Sequence, residues 1–198
     1  MSILKLISQI DKATQTMDKA TQAIDKVSTL FDSKTAPPQR ALSIEERETL
    51  VKVRIKEKGL QAINRVGSYV SKLDIRPKVI FHSTKLRAKE TAAVLFEYLK
   101  PVRGTSEADG LSPLDNPDIW ARRLKDMRED IVVVGHLPHL GRLASLLLCG
   151  SPEKSAISFK MAGIVCLKRE ETGAWSLQWM LIPETMVDDK ATGYCDGL

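Results

Sequence analysis

Val132-Val133-Val134-Gly135-His136-Leu137-Pro138-His139 decides how this chain folds. A β-branched apolar run without polar alternation is the pattern of a strand buried on both faces, as in a parallel sheet. It stops at a glycine and delivers a histidine at the strand's carboxyl end, the edge of an open α/β sheet where ligands bind. Leu140 to Leu148 resume helical periodicity, which places His136 in a strand-to-helix turn. A helix N-terminus there offers unpaired backbone N–H groups and a partial positive charge, suited to phosphate. A lone histidine in a tight turn is more often a satisfied structural residue, so a second element is needed to argue for a site.

Val79-Ile80-Phe81-His82-Ser83-Thr84-Lys85-Leu86-Arg87 supplies it. An apolar run again ends in polar residues and passes into a helix, with Ala88, Ala92 and Leu95 on one stripe. Ser83 and Thr84 are hydrogen-bond donors and plausible helix caps. Arg87, one turn in, can point back over the strand end, where a planar guanidinium binds two phosphate oxygens at once. Alone, the segment reads as a cap followed by a basic surface helix. Two such strand ends in one sheet favour a shared anion site.

The stretches HSTKLRAKETA (82–92) and VVVGHLPHLGRLASLLL (132–148) resemble the second and third motif regions of the histidine phosphatase, or phosphoglycerate-mutase-like, superfamily. The resemblance is strongest to small phosphohistidine phosphatases of the SixA type. RIKEKGLQAINRVGSYVSKL (54–73) is similar to the amphipathic segment those proteins place before the second motif, and GIVCLKREETGAWSLQWMLIPE (163–184) looks like their closing hairpin. The likeness runs over residues 54 to 184 with order and spacing preserved. It implies that Arg87 is a phosphate-binding arginine. It also implies that His136 is the second active-site histidine, donating to the phosphate as charge moves. Ser83 and Thr84 would stand beside the phosphate. It implies an enzyme, a phosphoric monoester hydrolase acting on phosphohistidine in a signalling or phosphotransfer protein, or on another small phosphorylated substrate, with no cofactor.

One element of that family pattern is missing. Its reaction uses an Arg-His-Gly motif at the end of the first strand, whose histidine attacks phosphorus. The three histidines here are His82, His136 and His139, all downstream of Arg54. The candidate first strand, Ile3 to Ile7, runs into Ser8-Gln9-Ile10. Without a nucleophile, covalent phosphoryl transfer is removed rather than slowed. The alternative is therefore a catalytically dead phosphate- or phosphoprotein-binding module. His82, on the last strand residue, is expected in a packed or rim position rather than as a substitute nucleophile. His139 is expected to cap the helix. Asp115 could protonate a leaving group, although Asp115-Asn116-Pro117 is more readily a turn. Because the family's first strand lies mid-sheet, Ile3 to Ile7 is expected to fill that slot; otherwise its neighbours leave backbone groups unpaired in the core.

Composition agrees with one substantial core: 198 residues, 43% hydrophobic and 28% charged. The net charge of +5 is too small and too dispersed to argue for nucleic acid, but it suits an anionic substrate. No run suits a membrane span and no signal-peptide layout is visible, so the cytoplasm is the expected compartment. Cys149, Cys166 and Cys195 lack metal-ligand spacing, and an odd number argues against a disulfide framework. Cys149 and Cys166, in apolar surroundings, are expected to be small core residues. No metal is expected either.

Residues 1–38 have a different character from 39–198. Ile10, Met17, Ile24 and Phe31 recur every seven residues, with Ala13, Ala20 and Val27 between them. This narrow seam predicts an amphipathic helix that dimerises weakly, packs on the domain or binds a partner; docking or fraying ranks above a stable coiled coil. Pro37-Pro38 ends it, and Ser43 opens a new charged helix. The expected architecture is α/β: a three-layer α/β/α domain over residues 39–198, its sheet mostly parallel with a C-terminal antiparallel hairpin. Before it stand the heptad-patterned helix and Pro-Pro linker of residues 1–38.

Overall fold

The computed structural model describes residues 2–8 and 43–186. The heptad repeat, the Pro-Pro linker, Cys195 and the end of the chain lie outside the described residues. The elements are β1 (Ser2–Ser8), α1 (Ile44–Ser71), β2 (Val79–His82), α2 (Leu86–Leu99), β3 (Thr105–Glu107), α3 (Asp118–Asp126), β4 (Ile131–Gly135), α4 (His139–Cys149), β5 (Ile164–Arg169) and β6 (Trp175–Leu181).

The sheet runs β3-β2-β4-β1-β5-β6. Its first four strands are parallel, and β5 and β6 add on antiparallel. β4 is buried along its whole length, the consequence of an apolar run with helices on both faces. β1 fills the slot beside it, Leu4 opposite Ile131 and Ser8 opposite Gly135, while its other edge pairs with β5. The expectation for Ile3 to Ile7 is met, and the segment that precedes the linker contributes a strand to the sheet of the domain that follows it.

Strand alternation sorts the core into two layers. Leu4, Ile131, Val133, Val165 and Leu167 face α3 and α4, with Trp120, Leu124, Leu140 and Leu143. Ile80, Val132, Val134 and Ile164 face α1 and α2, with Ile63, Val66, Ala92 and Leu95. Arg169, at the end of β5 and only 8% exposed, closes one corner. Its guanidinium donates to the carbonyls of Leu124 (3.0 Å), Lys125 and Met127 (2.9 Å), capping carbonyls that α3 cannot satisfy internally.

The expected elements recur with informative differences. The segments beginning at Ser43 and Arg54 form one 28-residue helix. β3 was not foreseen, because its three residues are exposed and carry no apolar signal. Phe159, expected with Gly163 to Leu167 to pair with Trp175 to Leu181, stands outside β5: a turn closed by the Gly163 N–H on the Lys160 carbonyl, with Ala162 at φ 56°, separates it from the strand. Cys166 is buried as expected, but Cys149 is exposed, since it ends α4 at the left-handed Gly150.

Replacing Arg169 with methionine leaves those α3 carbonyls without their charged donor. Thermal or urea unfolding is expected to show a loss of roughly 2–3 kcal/mol. Unchanged stability would mean that the cap is energetically idle.

Candidate anion site at the strand ends

The carboxyl ends of β1, β2 and β4 stop side by side, Ser8 opposite Gly135 and His82 opposite Val134. Gly135 sits in a tight place: a Cβ there would lie 3.1 Å from the Leu140 side chain, which would have to give by a few tenths of an ångström. Beyond it His136 is fully buried, and its carbonyl accepts from the Leu140 N–H at 2.9 Å, opening α4.

Arg87 reaches across from α2 to this ring. Its Nε and Nη2 lie 3.3 and 2.9 Å from His136 Nδ1. A guanidinium has only donors, so Nδ1 must accept. The neutral imidazole then carries its proton on Nε2, 3.0 Å from Ser83 Oγ, and donates to it. Burial, followed by the nearby positive charges of Arg87 and Lys85, lowers the His136 pKa to about 4. The ring is therefore neutral near pH 7.

This polarity determines the available chemistry. A histidine 3.0 Å from a serine hydroxyl has the spacing of a nucleophile–base pair. A general base, however, must have a lone pair facing the serine and gain charge on protonation. Here the lone pair faces Arg87, and the imidazolium would form against a fixed cation. Ser83 is not activated; the site instead presents N–H donors and positive charge.

The other expected residues fall around this pair. Ser83 is buried, and its backbone N–H donates to Val134 at 3.1 Å; Thr84 is exposed at the rim. Neither caps α2, whose N-cap is Lys85 with no side-chain bond; Ser83 Oγ accepts from His136 Nε2 and, at 3.4 Å, from the Lys85 N–H just before the helix. His82 is buried, and its Nδ1 donates to the Ser83 carbonyl at 3.0 Å, a packed position as expected. His139 opens α4, but its side chain does not cap it: Nδ1 donates to the Asp115 carbonyl at 3.1 Å. Asp115 holds the Ser112 N–H at 2.7 Å, so its carboxylate closes a turn. Trp120 Nε1, donating to the Asp109 carbonyl at 2.9 Å, ties the start of the same loop to α3. No sequence signal pointed to the His139–Asp115 tie, which joins a helix and a loop distant in the chain. Among the described residues no group of three or more His, Cys, Asp or Glu is placed to hold a metal ion.

The folded chain keeps His136 neutral down to about pH 4, whereas an unfolded histidine titrates near 6.5. Between those values the unfolded state binds the additional proton, so stability falls as pH drops from about 7 to about 4. Burial acts on His139 in the same direction. Melting temperatures measured across this range are expected to decline, less steeply in His136→Gln. A parent profile that is flat would contradict the assignment of a neutral ring.

No protein-family model and no curated relative matches the sequence. Solved structures do match. The protein histidine phosphatase SixA complexed with tungstate is 14% identical, covering 91% of this chain and 97% of its own, at a TM-score of 0.60. The alpha-ribazole phosphatase from Shigella flexneri is 13% identical, covering 94% and 100%, at 0.56. Phosphoserine phosphatase from Entamoeba histolytica, in complex with 3-phosphoglyceric acid, is 15% identical, covering 91% and 96%, at 0.53. At these identities the likeness is one of fold, and the fold is that of the histidine phosphatases and phosphoglycerate-mutase-like proteins.

Proposed function

We propose that this chain binds the phosphoryl group of a phosphorylated protein, of the phosphohistidine kind, without forming a phosphoenzyme. Arg87 and His136 hold the oxygens, Ser83 stands beside them, and Thr84 lies at the rim. The observation that carries this reading is the polarity of the buried pair: the guanidinium occupies His136 Nδ1 and thereby fixes a proton on Nε2. A neutral donor beside a cation suits an oxyanion and cannot act as a base. The tungstate carried by the SixA structure is a ligand of that class. The end of β1, where the family pattern has its attacking histidine, is Ser8 followed by Gln9.

In the same reading β1 belongs to the sheet of the domain over residues 39–198, and the heptad segment between them is available to engage the phosphorylated partner. It places the chain in the cytoplasm, where the thiols of Cys149 and Cys166 stay reduced. Among the described residues no helix is long and apolar enough to cross a membrane.

The likeness to phosphatases favours a second reading, hydrolysis of phosphohistidine with a nucleophile from elsewhere. Calorimetric titration with tungstate and turnover of a phosphohistidine-bearing protein separate the two. Tungstate is expected to bind, about ten- to a hundredfold more weakly in Arg87→Ala, the loss of charged hydrogen bonds, with no turnover by the parent. Turnover abolished by Arg87→Ala and His136→Ala would establish the second reading, and His82→Ala would then test the nucleophile. Tungstate binding that ignores Arg87 would overturn both.

A further inference from the structure

Lys5 is the unexpected residue of the sheet. It lies on β1 on the rung Val132–Lys5–Cys166–Trp179, across β4, β1, β5 and β6. Leu4 beside it enters the α3/α4 layer, so Lys5 points into the α1/α2 layer, which otherwise holds apolar residues at this level. It is 1% exposed. No carboxylate among the described residues comes within ion-pair distance of it, and no hydrogen bond from its ammonium is present there. Burial lowers its pKa, with Cys166 and Asp130 opposing from a distance. The Cys166 thiol is pushed up to about 11 and is uncharged near neutrality.

A buried ammonium without a close counter-charge is costly to keep. What it faces is a cavity of about 560 Å³, within the size range of small-molecule sites. Tyr69 near the end of α1, Leu73 just after it, and Trp179 and Leu181 of β6 form its more apolar walls. At the rim Arg76 is paired with Asp74 at 3.0 Å, and the Asp130 carboxylate also lines the cavity without reaching ion-pair distance of Lys5, the cation at the floor. The loops carrying Asp74 and Asp130 lead into β2 and β4, so the cavity opens toward the edge of the sheet opposite to His136 and Arg87.

We propose that this cavity binds a small monocarboxylate with an apolar body, its carboxylate on Lys5 Nζ and its body against Trp179, Tyr69 and Leu73. Lys5 at the floor offers one ammonium for one carboxylate, and the Asp130 carboxylate, which also lines the cavity, disfavours a ligand with a second negative charge such as a phosphate. The site is separate in place and chemistry from the Arg87–His136 pair and does not depend on its function.

Calorimetric titration of the full chain with benzoate and hexanoate, and with benzamide as the uncharged match, tests it. The carboxylates are expected to bind in the millimolar range or tighter, benzamide about tenfold more weakly or worse. Lys5→Met conserves volume and removes the charge, so the fold should persist while carboxylate binding falls at least about tenfold. Arg87→Ala should leave it unchanged. In the parent chain, benzoate should also slow reductive methylation of Lys5, a readout that needs no variant. Equal binding of benzoate and benzamide, no binding at all, or no protection of Lys5 would each overturn the proposal.

Discussion

The pairing of β1 between β4 and β5 is the constraint on which the rest depends. A sheet tolerates unpaired backbone groups at its outer strands, where water reaches them, but not in the middle. β4 and β5 run antiparallel to one another only because β1 lies between them, parallel to one and antiparallel to the other. Without it the parallel half and the C-terminal hairpin share no edge, and Leu4 leaves the core layer that holds Val133 and Val165. The same strand aligns Ser8 with Gly135 and so lays the end of β1 against the turn that carries His136.

From that alignment follows a site whose chemistry is set by hydrogen-bond direction more than by residue type. Arg87, His136 and Ser83 could be assembled into a base and nucleophile if the imidazole were turned around. Arg87 prevents this, because a guanidinium can only donate and His136 Nδ1 can only answer as an acceptor. Burial and neighbouring cations then make protonation unfavourable, which keeps the ring a donor through Nε2. The buried pair therefore presents donors and positive charge at the strand ends rather than a base. Arg169 and Lys5 show the contrast in buried cations: the first is met by three helix carbonyls, the second faces an open cavity.

Much was legible in the chain because strong signals are local. The valine run of β4, the apolar-to-polar breaks after Phe81 and Gly135, and the periodicity of the following helices are written in consecutive residues, and they located Arg87 and His136 at neighbouring strand ends. β3 escaped because a short exposed edge strand needs only backbone pairing with β2 and leaves no apolar pattern. Cys149 misled because apolar neighbours in sequence do not ensure burial of the last residue of a helix, where the chain turns away at a left-handed glycine. Ser83 and Thr84 looked like caps because those residue types usually are; the Ser83 hydroxyl instead meets His136, from the turn after β4, and reaches only the Lys85 N–H ahead of α2.

Consecutive residues alone carry the parallel α/β architecture, the two strand ends that form the candidate site, and the lack of a histidine before Arg54. These follow from residue order and side-chain period, which any chain carries unfolded. The fold alone sets which way the His136 ring faces, the tie of His139 between α4 and the Asp115 loop, and the burial of Lys5 at the floor of a cavity. Each of these depends on groups distant in the chain meeting within a few ångströms. A buried polar group takes its partner from whatever the fold brings to it.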